Sequence, residues 1–288
     1  MKKINIKILS FLFLAVFTVT AFGQEEEKAE ETEKAEEGKK KDNSGTNPVN
    51  FTYDFRLINE MQQFKNDGGS QNKSYMEFRA PMGRDIANVA GQEAGALVDM
   101  GSRFAVRLRG YYNTVTINDE ATNTSATYSG IGDFDARVLA VPYATNKFAI
   151  APGLEVFFNT ASNDAVGAGQ TIIAPVVFFG FFNLLGKYSI LAPGYQHRFN
   201  ADGNRVNQSV LDIYYVKILS KGKNWLVVNP QPIYDWENKA GYMMLDVEWG
   251  FMIHKASGVS AAIRPGFGIG KNAPLSYNFE FALKFVWR

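Results

Sequence analysis

From Leu275 to Arg288 the residues Leu275, Tyr277, Phe279, Phe281, Leu283, Phe285 and Trp287 alternate with Ser276, Asn278, Glu280, Ala282, Lys284, Val286 and Arg288. A β-strand sends successive side chains to opposite faces, so this segment predicts one aromatic-rich apolar face backed by a mostly polar one. The apolar face runs the length of a membrane crossing and carries aromatics near both ends. That is the pattern of a strand with one side in lipid and the other on an enclosed lumen. Related segments recur from Phe51 onward, and strands are predicted at 51–62, 74–82, 102–112, 131–143, 148–158, 170–182, 188–199, 209–219, 225–236, 242–253, 259–269 and 275–287. The fold class expected is all-β: a closed antiparallel up-and-down transmembrane β-barrel of about twelve strands, with a disordered N-terminal tail.

The connections support that reading. With the first strand leaving the periplasm, the turns 144–147, 183–187, 220–224 and 254–258 are short and periplasmic. The opposite side receives 113–130, 159–169 and 200–208, longer and rich in Asn, Thr, Asp and Gly. Short periplasmic turns and longer outer loops are usual in such barrels. Gly83 to Gly101 departs from the rule, being long on the periplasmic side with an Ala-rich middle. It is read as a misplaced or irregular first hairpin ahead of a short helix covering the mouth.

Most charged strand residues fall on the parity opposite the apolar one: Asp54, Arg56, Glu77, Arg79, Arg103, Arg107, Arg109, Asp133, Asp135, Arg137, Glu155, Asp212, Asp246, Glu248, Arg264, Glu280 and Lys284. Arg or Lys at the lipid midplane costs roughly 2–4 kcal/mol, so this segregation points to lipid outside and a polar lumen inside. Two roles compete for these lumen-lining residues. The first is a mutually neutralising fill of a narrow bore. The second is an electrostatic eyelet for a polar or anionic solute, with Arg103, Arg107 and Arg109 as a positive rail facing Asp133 and Asp135.

Pro152, Pro175, Pro193, Pro230, Pro232 and Pro265 lie within predicted strands. Proline cannot donate to a ladder and a closed barrel has no free edge, so bulges or kinks are expected at them. A gap in the wall is the functional alternative.

Composition adds the location. Lys2, Lys3 and Lys7 precede an apolar run from Ile8 to Phe22, and Ala21-Phe22-Gly23 is an acceptable cleavage motif. Residues 1–23 therefore read as a signal peptide. Residues 24–50, acidic and then basic, lack an apolar stripe and read as a solvated periplasmic tail; residues 51–288 form the barrel. The net charge of +1 argues against a nucleic-acid partner. With no cysteine there is no disulfide, thiolate site or lipidated N-terminus. The only histidines are His197 and His254, neither with a serine beside it in a nucleophile-like position, and no Gly-x-Ser-x-Gly elbow occurs. No catalytic residue, metal or cofactor is expected.

Ser129-Gly130-Ile131-Gly132-Asp133-Phe134-Asp135-Ala136-Arg137, the Pro152-Gly153 step, Asn159-Thr160, Asp164, Gly167-Ala168-Gly169, Asn229-Pro230 and Trp236 carry a resemblance. Together they resemble the outer-membrane barrel family labelled for the MetA-pathway of phenol degradation, of "transporter" type, from about Gly130 to the C-terminus. The resemblance implies an outer-membrane channel for a small solute, with hydrophobic or aromatic compounds among those it would pass. The expected partners are outer-membrane lipid and, through the C-terminal strand, the barrel-assembly machinery, with the chain a monomer. An anchoring barrel with an occluded lumen is the first alternative, and a lipid-modifying enzyme of the outer membrane the second.

Overall fold

The computed structural model describes residues 52–82, 104–119, 121–145, 147–202, 205–254 and 257–287. The segments read as signal peptide and tail, the whole of 83–101, and Arg103 lie outside the described residues. Among the described residues fourteen strands follow in order: β1 (Tyr53–Phe64), β2 (Gly69–Met82), β3 (Phe104–Asp119), β4 (Thr124–Ile131), β5 (Phe134–Ala140), β6 (Tyr143–Ala144), β7 (Phe148–Phe158), β8 (Ile172–Phe182), β9 (Ser189–Asn200), β10 (Asn207–Leu219), β11 (Asn224–Asp235), β12 (Ala240–His254), β13 (Val259–Ile269) and β14 (Leu275–Trp287).

All pairings are antiparallel and follow the chain, and β1 closes the sheet on β14 from Tyr53↔Trp287 to Phe64↔Leu275. With β4 and β5 as two halves of one crossing and the short β6 set aside, this is a twelve-stranded closed barrel. Closure matters energetically, because hydrocarbon offers no partner to an open strand edge.

The alternation sorts the side chains as expected. On β12, Trp249 is 39% exposed outward, while Asp246 and Glu248 keep 8% and 4% inside. Inward small residues admit large neighbours. Trp225 on β11 lies over Gly250, directly opposite on β12, where an added Cβ would stand 1.9 Å from the indole. Gly250→Ala should therefore destabilise the barrel by about 1–3 kcal/mol through overpacking, read as a lower urea midpoint in micelles.

Three expectations are corrected. The segment 113–130, read as a loop, is largely strand, because β3 and β4 pair from Tyr112↔Ile131 to Asp119↔Thr124. Thr114–Ser129 and Thr116–Thr127 hydroxyl pairs cross this ladder. The outward face turns polar there, Thr114 and Thr116 following Val106 and Leu108, while Val115 and Ile117 fall on the opposite parity, so the lipid-facing alternation does not continue. The connections at that end are consequently short, 65–68, 120–123, 201–206, 236–239 and 270–274, with 159–171 the long exception.

Second, the single strand expected at 131–143 is broken at Gly132-Asp133. Third, the prolines cause no bulge. The β10–β11 ladder lapses beside Pro230 and Pro232, between Val210↔Ile233 and Tyr215↔Val228, then resumes in the same register. The β8–β9 ladder lapses at Pro175 and Pro193 and the β12–β13 ladder at Pro265, each resuming in the same register, while Pro152 sits in a continuous ladder with β8. The register shifts lie instead at Gln63/Phe64 and Met252/His254. Missing N–H groups thin the hydrogen bonding here without displacing the chain.

Candidate functional site

The end of the barrel holding the 159–171 connection is called the upper end, and that holding 183–188 the lower. Register places the charged inward residues in one belt. Arg79 faces Arg107 and Glu77 faces Arg109 across β2–β3. Arg107 faces Arg137 and Arg109 faces Asp135 across β3–β5, and Arg137 faces Glu155 across β5–β7.

Glu155 is the hub. Its Oε1 accepts from Arg109 Nη2 at 2.9 Å and from Arg107, and its Oε2 accepts from Arg137 Nε at 3.0 Å and Gln196 Nε2 at 2.8 Å. Asp135 accepts from Arg109 Nε at 2.8 Å and the Tyr111 hydroxyl at 2.7 Å. On the next strands Arg56 Nε donates to Asp54 at 2.7 Å, and Arg79 Nε lies 2.7 Å from Glu77.

Across the lumen Arg264 Nη2 donates to Asp246 at 3.0 Å and Asn229 at 2.8 Å. Lower down, Lys284 Nζ and Trp225 Nε1 both donate to Glu248, at 2.7 and 2.8 Å. Glu280 accepts from the Tyr75 hydroxyl at 3.1 Å. Charge-assisted and fork-like contacts of this kind hold geometry tightly.

The belt is asymmetric in what it offers the lumen. Arg79 and Arg109 keep 26% and 19% side-chain exposure, whereas their partners Asp54 and Asp135 keep none. In this part of the belt the carboxylates lie deeper than the guanidinium groups that cover them. Aromatic rings continue this surface. Tyr75 and Tyr111 stand 5.0 Å apart, with Arg109 over Tyr111 at 5.7 Å and Arg137 over Phe178 at 5.7 Å. Below, a buried apolar cluster including Phe178, Phe182, Ile190 and Val216 fills part of the bore.

Arg107 and Arg109 stand on the inward face with Asp135 between them, but Asp133 does not face them. It stands at the β4–β5 break and accepts from Thr160 N (3.0 Å), Ala161 N (3.0 Å) and Ala168 N (2.5 Å). Asn113, on the same face of β3 as Arg109 and Tyr111, donates from Nδ2 to Val166 O at 2.7 Å. The 159–171 connection is thereby drawn into the mouth, with Val166 only 1% exposed. Sequence reasoning missed this plug. Its visible signals were the strand-breaking Gly132-Asp133 step and Gly167, where a Cβ would meet Asp133 Oδ2 at 2.9 Å.

His197 also differs from expectation, because register sets it opposite Ser209 with Nδ1 3.3 Å from Oγ. The same hydroxyl is bonded by Tyr195 Oη at 3.0 Å and Trp236 Nε1 at 2.9 Å, in an aromatic-rich strip of the outer wall. Among the described residues no group of His, Asp and Glu is placed to hold a metal ion.

No protein-family model matches the chain, and no curated protein matches it in sequence. Solved structures do share its fold. The COG4313 outer membrane channel from Pseudomonas putida F1 matches with a TM-score of 0.60 at 8% identity, over 83% of this chain and 96% of that one. The NanC porin matches at 0.52 and 10% identity, over 82% and 99%. The KdgM porin, solved in complex with disordered oligogalacturonate, matches at 0.51 and 10% identity, over the same shares. The chain folds as an outer-membrane β-barrel of the kind found in channels and porins.

Proposed function

We propose that the chain is an outer-membrane channel that passes a small solute bearing negative charge, a planar ring, or both. The observation that carries this reading is the burial of Asp54, Glu77, Asp135 and Glu155 behind more exposed guanidinium groups in the β2–β7 belt. A solute passing that belt would meet Arg79, Arg107, Arg109 and Arg137 before Asp54, Glu77, Asp135 or Glu155, while Glu60, Asp212 and Glu280 stand half-buried elsewhere on the inward face. Guanidinium planes and aromatic faces together favour aromatic carboxylates or phenolates. That class fits the resemblance of the Ser129–Arg137 stretch to the phenol-degradation transporter family, and the fold neighbours that are channels support a channel. Export through a cleaved signal peptide and insertion through the C-terminal strand belong to the same reading.

Reconstituted channels in a salt gradient test it. The reversal potential should report anion preference, and liposomes should swell faster in benzoate than in benzylamine of equal size. Cation preference would overturn the reading.

An anchoring barrel is favoured by the inward 159–171 connection and the apolar cluster, and it predicts no permeation of any solute. The His197–Ser209 contact is the one observation favouring a hydrolase. The imidazole shows no carboxylate partner among the described residues, and the serine hydroxyl is held by Trp236. Lipid hydrolysis abolished by Ser209→Ala would establish that alternative.

A further inference from the structure

On the outer wall, where β14, β1, β2, β3 and the β4–β5 break adjoin, lies a groove of about 970 Å³. This is at the upper end of the roughly 300–1,000 Å³ range of sites that hold small ligands. Register arranges its outward residues in two rows. The upper row runs Phe281, Asn59, Ser74, Tyr112, Ile131, and the lower Leu283, Leu57, Met76, Gly110. The depression exists because Ser74 is small and Gly110 has no side chain; an added Cβ on Gly110 meets nothing within 4 Å.

The polarity step across the groove falls at the border of the apolar band. Below it β2 and β3 present Met76, Phe78 and Leu108 outward; above it they present Asn72, Ser70, Thr114 and Thr116. At the step itself Asn59 Nδ2 donates to Asn72 Oδ1 at 2.8 Å and to Ser74 Oγ at 3.0 Å. Those bonds orient the Asn72 amide and leave the Ser74 proton and the Asn72 Nδ2 available as donors. No charged residue lines the groove.

We propose that this groove binds one acyl chain of a bilayer lipid, with its ester or amide carbonyl at Ser74 and Asn72. The tail descends along Leu57, Leu283 and Met76 over Gly110. Apolar walls beneath a pair of neutral donors, at the depth where the band ends, match an acyl chain beneath its carbonyl. The uncharged lining reads neither phosphate nor ammonium, so selection falls on the linkage and not on the headgroup.

Native mass spectrometry of the delipidated full chain tests this, with dipalmitoyl phosphatidylethanolamine and its ether-linked analogue as probes. The wild type should retain one ester lipid and hold it in preference to the ether form. Gly110→Trp, which fills the groove, should lower that occupancy by about tenfold, a difference of 1.4 kcal/mol. Gly110→Leu serves as a second filling variant, with heat-modifiable gel migration reporting that both are folded. Ser74→Ala combined with Asn72→Leu should erase the ester preference while the chain still binds. Unchanged occupancy in both filled variants overturns the site, and equal retention of ester and ether lipid by the wild type overturns the carbonyl contact.

Discussion

Glu155→Gln should unfold at a markedly lower urea concentration than the wild type, with a loss of about 3–5 kcal/mol. The carboxylate is buried and is shared by Arg107, Arg109 and Arg137. Its removal leaves three guanidinium groups crowded together with Asp135 as the remaining acid of that cluster. An uncompensated buried charge is far costlier than a weak ion pair, which is why one amide substitution has so large an effect. Adding Arg137→Gln to Glu155→Gln should recover part of the loss, because one stranded cation goes with it. Equal stability of Glu155→Gln and wild type would mean that water already solvates the cluster and that the bore is wide.

The second large effect concerns permeation. Asp133→Ala should raise single-channel conductance and the swelling rate in the same solute series. Asp133 binds three backbone N–H groups of the 159–171 connection, and hydrogen bonds to a charged group contribute about 1.5–3 kcal/mol each. Even if neighbouring contacts recover most of that, a net loss of about 3 kcal/mol shifts the ratio of released to docked connection by roughly two orders of magnitude. Asp133→Asn keeps one acceptor oxygen and should fall between. A conductance unchanged by Asp133→Ala would place the limiting constriction lower, at the arginine belt or the Phe178 cluster. Thermal unfolding separates this result from a general loss of structure, since the barrel ladder does not pass through Asp133.

The two variants probe layers of very different legibility. The membrane-facing half of each strand was plain in the chain: Trp249 and Phe251 outside, Asp246 and Glu248 inside, follow from a period of two and the cost of charge in lipid. The extended β3–β4 hairpin was not, because its outward face becomes polar at Thr114 and Thr116 and its apolar residues, Val115 and Ile117, fall on the other parity. The prolines misled for a related reason. A lost N–H removes a hydrogen bond, but register is held by the many pairs on either side of it.

What the sequence by itself determined is therefore the set of crossing strands, their oily face and the inventory of charges on the other, since each depends on neighbours one or two residues apart. Tertiary structure alone decided the partners. Glu155 meets arginines 18, 46 and 48 residues away, and Asp133 meets Ala168 at a separation of 35. The wall groove joins Asn59, Ser74 and Gly110 from three strands. Strand order and register set those meetings, and both arise from closing the whole sheet on itself, a cooperative event that no local pattern encodes.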